Sequence, residues 1–313
     1  MGRHPSLYFA DGTLTLQAGD GSDIIYNVYR EPLMHHSPLF KGMLSLPHAE
    51  LPSLSPAATN VRELLAKARE TGLEGLKDET AVVLPAQLKS AELDEFILFL
   101  FLHAYVLCSG EFPPSVERAC AILKVSHFFA VDCGITFART HLDNNSDFGP
   151  CHRFRLGFDY QIREWIIDAF DQLMGVPIGE LSPEDEMLLG PRGYRAVARA
   201  QSRCLDSRLR LAVRAEEPNH SNECLNHYSC KEEWTKMWTS TRGVLGDIIV
   251  HDFPGSRIIE RLHGYPVGHM GPDCHRRTCD GLLGTADKPS IFLKEEELID
   301  EEIYTLMKEE GVV

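Results

Sequence analysis

The chain has 313 residues, of which 43% are hydrophobic and 25% charged, and its formal net charge is −15. This composition is typical of globular proteins with a buried core and excludes a largely disordered chain. Because an acidic surface repels phosphate backbones, we expect no nucleic-acid partner.

Targeting and membrane signals are weak in this sequence. The first twelve residues are polar and lack the apolar core of a secretory signal. The most apolar stretch, Phe96–Cys108, contains His103 and is too short to span a bilayer. The nine cysteines are odd in number and scattered, which favours reduced thiols over a disulfide framework. We therefore expect an intracellular protein, in the cytoplasm, the nucleus or both, with no membrane partner.

The first regular elements are two strands. Thr13–Ala18 and Asp23–Tyr29 alternate β-branched or aromatic residues with others, and the turn residues Gly19-Asp20-Gly21-Ser22 separate them. They predict a β-hairpin. The Gly19-x-Gly21 pair is not a dinucleotide fingerprint, because Ile24 occupies the third glycine position.

A pair of short helices is predicted next, over Glu31–Met43. Pro32 suits the first turn of one helix, and Ser37-Pro38 can end it and begin the second with Pro38 at its first position.

Further elements follow after a composition shift at Leu51–Glu79, which predicts a surface insertion with a helical segment at Val61–Glu70. Beyond it the sequence predicts a strand at Ala81–Leu84 and a buried helix at Leu93–Leu102. More helices are predicted over Val116–Leu123 and His127–Leu142.

These elements, in this order, resemble a BTB/POZ domain over Leu7–Asp143. The resemblance rests on the hairpin, on the segments REPLMHHSPLFKGML, AVVLP and AELDEFILFLFLHA, and on the closing ILKVSHFFAVDCGITFARTHLD. Ser37-Pro38-Leu39-Phe40 matches the end of the family's helix-pair motif. The chain departs from the family in its long insertion, and in having Arg30 or Glu31 where a histidine is usual before the first helix.

The resemblance implies an α+β fold and a domain at residues 7–143 that dimerises or binds other proteins through its helix pair. Most of the helix-pair side chains are expected to serve the core, with one or two exposed for a partner. The partner-binding residues implied are Leu33, Met34, Leu39, Phe40 and Met43.

The second half, residues 151–313, predicts an all-helical domain. Phe158–Ala169 has a helical pattern, and Ser182-Pro183 opens a capped helix that runs to Leu189. Gly193–Val213 and the acidic Lys294–Glu310 complete the pattern. On Gly193–Val213 the residues expected to face inward are Ala196, Val197, Ala200 and Leu205. This succession resembles the helical region that follows the BTB domain in many fungal proteins.

Cysteine and histidine cluster twice in this half. His220, Cys224, His227 and Cys230 form the first group, and Cys274, His275 and Cys279 the second. Zinc prefers four tetrahedral cysteine or histidine ligands, often in two close pairs. One interpretation is a structural zinc held by Cys224, Cys230, Cys274 and either Cys279 or a neighbouring histidine. The other is that the thiols are simply reduced and bind no metal.

Motifs for catalysis are absent from the sequence: it has no Gly-x-Ser-x-Gly elbow, phosphate-binding loop, kinase signature or His-Glu-x-x-His helix. We therefore predict that the protein is not an enzyme but a homodimerising protein-interaction scaffold. Two alternatives are a substrate adaptor for a cullin-type ubiquitin ligase and a transcription-associated factor that uses the Cys/His segment as a zinc module.

Overall fold

The computed structural model of the chain describes residues 2–44, 78–109, 115–249, 255–285 and 288–313. Over these residues the chain is mainly helical with a four-stranded mixed sheet and a short two-stranded ribbon, so the fold is α+β. It divides into two compact units, Met1–Phe148 and Gly149–Val313. None of the helices within the described ranges has the length and apolarity needed to cross a membrane.

The sheet lies in the first unit. Its strands are β1 (Gly2–Tyr8), β2 (Leu14–Gln17), β3 (Ile24–Val28) and β4 (Val82–Val83), in the order β1-β3-β2-β4. The predicted hairpin of β2 and β3 is confirmed, and Gly21 takes a positive φ of 82° in its turn. β1 pairs with β3 and β4 pairs with β2, both in parallel. The sequence did not predict β1, because its residues are mostly polar and its pairing is not local.

Helices supply the rest of the first unit, and the predicted helix pair is confirmed. Tyr26, Leu33, Phe40, Phe96 and Phe129 are among the largest side chains of a core that strands and helices share. The helices are α1 (Arg30–His36), α2 (Pro38–Leu44), α3 (Ser90–Ser109), α4 (Val116–Phe129) and α5 (Asp132–Asp143). The predicted helical segment Val61–Glu70, and the insertion that contains it up to residue 77, lie outside the described residues.

The second unit begins with α6 (Pro150–Asp159) and α7 (Arg163–Met174). The prediction of one helix over Phe158–Ala169 is therefore wrong. The chain turns between the helices at Gln161, which has a φ of 56°. Gly157 allows the two helices to pack closely, because a Cβ at Gly157 would lie 2.8 Å from a side-chain carbon of Ile166. A helical pattern in sequence does not reveal such a turn when both helices bury the same kind of face.

The longest helix, α8 (Pro183–Val213), has the predicted cap at its start, where Ser182 and Asp185 form a capping box. It breaks at Gly190, which has φ 64° and ψ 171°. Ala196, Val197 and Ala200 are buried as predicted, but Leu205 is 56% exposed. Cys204 takes the inward position instead, because it lies four residues after Ala200 and so on the same face.

The acidic C-terminal helix, α13 (Lys294–Glu309), packs along α8. Ile303, Leu306 and Met307 form a buried apolar stripe on this helix. Glu295 and Glu302 are also buried, with arginines of α8 as their partners.

A second core of this unit forms around Trp234 and Trp238, which are fully buried and, being four residues apart, share one face of α9 (His227–Trp238). Apart from a two-stranded ribbon of β5 (Gly284–Thr285) and β6 (Lys288–Pro289), this region is helical, so the all-helical prediction holds except for that ribbon. Its helices are α9 (His227–Trp238), α10 (Val244–Ile249), α11 (Gly255–Arg261) and α12 (Pro272–Leu283).

Candidate metal centre

Four side chains from both Cys/His clusters converge beside this second core. His220, Cys224, Cys230 and Cys274 each offer one ligand atom, and these atoms all lie within 4.8 Å of one another. The Sγ atoms of Cys224 and Cys230 are 3.6 Å apart, and Nδ1 of His220 is 3.7 Å from Sγ of Cys224. Tetrahedral ligands about 2.3 Å from zinc are separated by roughly 3.8 Å. The group could therefore hold a metal ion.

Two of the four ligands lie in the first turns of helices. Cys230 is near the start of α9, where Asn226 caps the helix by accepting a hydrogen bond from the Ser229 N–H at 3.0 Å. Cys274 is near the start of α12, which has Pro272 at its first position. The positive end of a helix dipole stabilises an anionic thiolate, so both positions favour metal ligation.

The other two ligands lie in the irregular segment that precedes α9. The indole N–H of Trp234 donates to the carbonyl of Glu216 at 2.9 Å, and the N–H of Asn219 donates to the Thr278 hydroxyl at 2.9 Å. These bonds hold the chain just before His220 against α9 and α12. A turn in which the Cys224 N–H donates to the Ser221 carbonyl then brings Cys224 back to the group.

Burial and hydrogen bonding change the pKa of the thiols in opposite directions. Burial raises the pKa of Cys224 to about 11. Burial also opposes ionisation of Cys274, but its hydrogen bonds with the N–H and the hydroxyl of Ser221 and with neighbouring thiols outweigh burial and lower the pKa of Cys274. Cys274 therefore ionises more readily than Cys224.

His220 is held as a neutral imidazole, the form that binds metals. Burial and the neighbouring His227 both lower its pKa. The two rings stack with centroids 4.2 Å apart and planes 4° from parallel, which fixes the orientation of His220.

The group is mostly enclosed. Cys230 and Cys274 are 5% and 2% exposed, and His220 and Cys224 are half-buried. Four protein ligands leave no open coordination position, which is the arrangement of structural rather than catalytic zinc sites.

Cys279, the fourth ligand named from the sequence, is not in this group, whose fourth member is a histidine, His220. Five residues along α12 place Cys279 about 140° around the helix from Cys274. Its thiol is fully buried and lies 3.6 Å from the Leu262 carbonyl oxygen. The His220-x3-Cys224 spacing was visible in the sequence, but only the fold shows which of the histidines and cysteines meet.

The five residues predicted to bind a partner lie on α1 and α2 of the first unit. Leu33, Leu39 and Phe40 are 1%, 7% and 2% exposed, so their side chains belong to that unit's own interior. Met34 and Met43 are half-buried and retain some accessible surface.

Comparison of the chain with protein-family models, with curated proteins and with solved structures returned no match. The fold and the site therefore define its class: an α+β chain of two units, the second of which carries a candidate metal centre.

Proposed function

We propose that this chain is a non-catalytic protein-interaction scaffold whose first unit is a homodimerising domain of the BTB/POZ type. The observation that carries this proposal is the helix pair α1–α2, which directly follows the β2–β3 hairpin and is built into the core of the unit. The parallel addition of β4 to the hairpin and the α3–α5 helices that follow are compatible with it.

Three buried thiols of the second unit are unsuited to act as nucleophiles. Burial raises the pKa of Cys204 and Cys279 to about 11 and that of Cys151 to about 12. These thiols stay protonated near neutral pH, whereas a nucleophilic cysteine needs a depressed pKa.

Light scattering after gel filtration tests the dimer. We expect twice the chain mass at micromolar concentration, and we expect Met34→Gln to raise the dimer dissociation constant by about tenfold without lowering the melting temperature. Lys41→Gln, a change at an exposed position of α2, is the matched control and should leave the dimer intact. A monomer at every concentration would contradict the proposal.

We also propose that the metal centre holds a structural Zn²⁺, which would favour the zinc-module interpretation of the second unit. The donor set of three thiols and one imidazole suits zinc, and so does its partial enclosure. The ligand atoms lie within 4.8 Å of one another, with two of the separations at 3.6 and 3.7 Å. Such an ion would bond His220 and Cys224 of the irregular segment to α9 and α12.

Elemental analysis of the purified chain tests the zinc. We expect one zinc per chain, lost in Cys274→Ser and reduced in His220→Ala, and the d–d absorption of a tetrahedral site after cobalt substitution. Cys279→Ala on the same helix is the control and should keep the metal. Zinc retained by Cys274→Ser but lost by Cys279→Ala would overturn the ligand assignment.

Chelation provides a second measurement on the same site. Because metal binding free energy adds to folding free energy, removing zinc should lower the melting temperature of the second unit and leave that of the first unchanged. Equal effects on both units would argue against a local structural site.

A further inference from the structure

A groove of about 400 Å³ opens on the second unit between α6, the break in α8 and α13. Its walls are largely apolar, and this volume is at the lower end of the range for small-molecule sites. The apolar side chains that line it are Phe154, Phe158, Leu188, Leu189 and Leu306.

The break in α8 shapes one side of this groove. Gly190 leaves the helical conformation with a positive φ of 64°, and Pro191 begins the next helical segment. Gly193 lets Phe154 lie against the helix, because a Cβ at Gly193 would be 2.6 Å from the phenyl ring.

Three arginines line the groove, and they differ in their hydrogen-bond and ion-pair partners. Arg155 pairs with Asp159 at 3.0 Å, and Arg192 pairs with Glu310 at 2.7 Å. Arg195 donates only its Nε–H, to the carbonyl of Pro191 at 2.9 Å. Its two terminal nitrogens have no carboxylate partner among the residues that the structure describes, so their N–H groups are available to a ligand.

We propose that this groove binds a small amphiphilic anion, with the anionic group on Arg195 and an aliphatic chain against the apolar wall. The charge at the groove supports an anion, because Arg195 lines it and the terminal nitrogens of this arginine have no carboxylate partner among the described residues. The lining supports a ligand that also carries an aliphatic chain, since α6, α8 and α13 all contribute apolar side chains to the groove. This site shares no residue with the metal centre and is independent of the proposed scaffold function.

Titration calorimetry of the full chain with decanoate, below the concentration at which decanoate forms micelles, tests the proposal. We expect saturable binding of one decanoate per chain. Decanol, which lacks the charge, and acetate, which lacks the chain, should each bind at least about tenfold more weakly. Arg195→Gln should weaken decanoate binding by about tenfold or more, because a charge-assisted hydrogen bond is lost.

Arg210→Gln is the matched control, because Arg210 is an exposed arginine of the same helix, is paired with Asp206, and lies away from the groove. It should bind decanoate as the natural chain does.

Circular dichroism of both variants separates lost binding from lost folding. A Leu188→Phe variant, which narrows the groove, should also weaken decanoate binding. Decanoate binding that is unsaturable, equal to that of decanol, or unchanged in a folded Arg195→Gln variant would overturn the proposal.

Discussion

Ser37 is a fully buried polar residue between α1 and α2, and its hydroxyl is used twice. It accepts a hydrogen bond from the Phe40 N–H at 3.1 Å and donates one to the Phe129 carbonyl at the end of α4. A buried hydroxyl with both roles satisfied stabilises the site, whereas an unsatisfied one costs free energy. The Ser-Pro-Leu-Phe sequence thus caps one helix and attaches the pair to another.

Phe40 of α2 also contacts α4, because its ring packs against that of Phe129 with the two centroids 4.6 Å apart. We expect Phe40→Ala to lower the free energy of unfolding of the first unit by about 3–5 kcal/mol, because burial and packing are both lost. That is a large share of the roughly 5–15 kcal/mol that holds a domain folded. Urea unfolding measures it, with Lys41→Ala at the adjacent exposed position as the control. A variant that kept its stability and lost only a partner would show that Phe40 acts at an interface.

At the scale of elements, α13 is held on α8 by a buried carboxylate as well as by apolar packing. Glu302, whose side chain is 8% exposed, lies 2.6 Å from a terminal nitrogen of Arg199 and 3.2 Å from one of Arg203. The two arginines are about half-exposed, so they stay partly hydrated and the desolvation penalty of this ion-pair group is reduced.

We expect Glu302→Ala to destabilise the second unit by about 1.5–3 kcal/mol, the range for hydrogen bonds to charged groups. Glu301→Ala removes a neighbouring exposed carboxylate that also pairs with Arg203, and it should cost less than about 1 kcal/mol. Thermal unfolding of the two variants compares them directly. Equal losses would mean that burial of Glu302 contributes nothing to the attachment of α13.

At the scale of the whole molecule, each unit has hydrophobic cores of its own. The core of the first unit is made of residues between Leu7 and Val131, and both cores of the second unit are made of residues beyond Gly149. A domain with its own core can fold alone.

We therefore expect a fragment of residues 1–150 to fold by itself, with a cooperative thermal transition followed by circular dichroism. The full-length chain is the reference for the same transition. A fragment that stays unfolded while the full chain folds would contradict this division.

Much of the local structure could be predicted from the sequence, because its signals are local. The glycines at 19 and 21 mark the hairpin turn, Ser37-Pro38 marks the boundary between α1 and α2, and Ser182-Pro183 marks the start of α8. Each of these residues restricts its own backbone or caps its own helix, so no distant contact is needed to interpret it.

The sequence by itself therefore determined the α+β class, the hairpin, the helix pair, and the two short segments that hold the candidate ligands. The tertiary structure decided the rest. In the tertiary structure the polar strand β1 pairs with β3. Leu205 faces solvent, and Cys204 packs inward instead. His220, rather than Cys279, lies with the three other candidate ligands. The physical reason is common to all three: strand pairing, the facing of a helix and the convergence of ligands depend on residues distant in sequence, and a local pattern does not encode which distant surfaces meet.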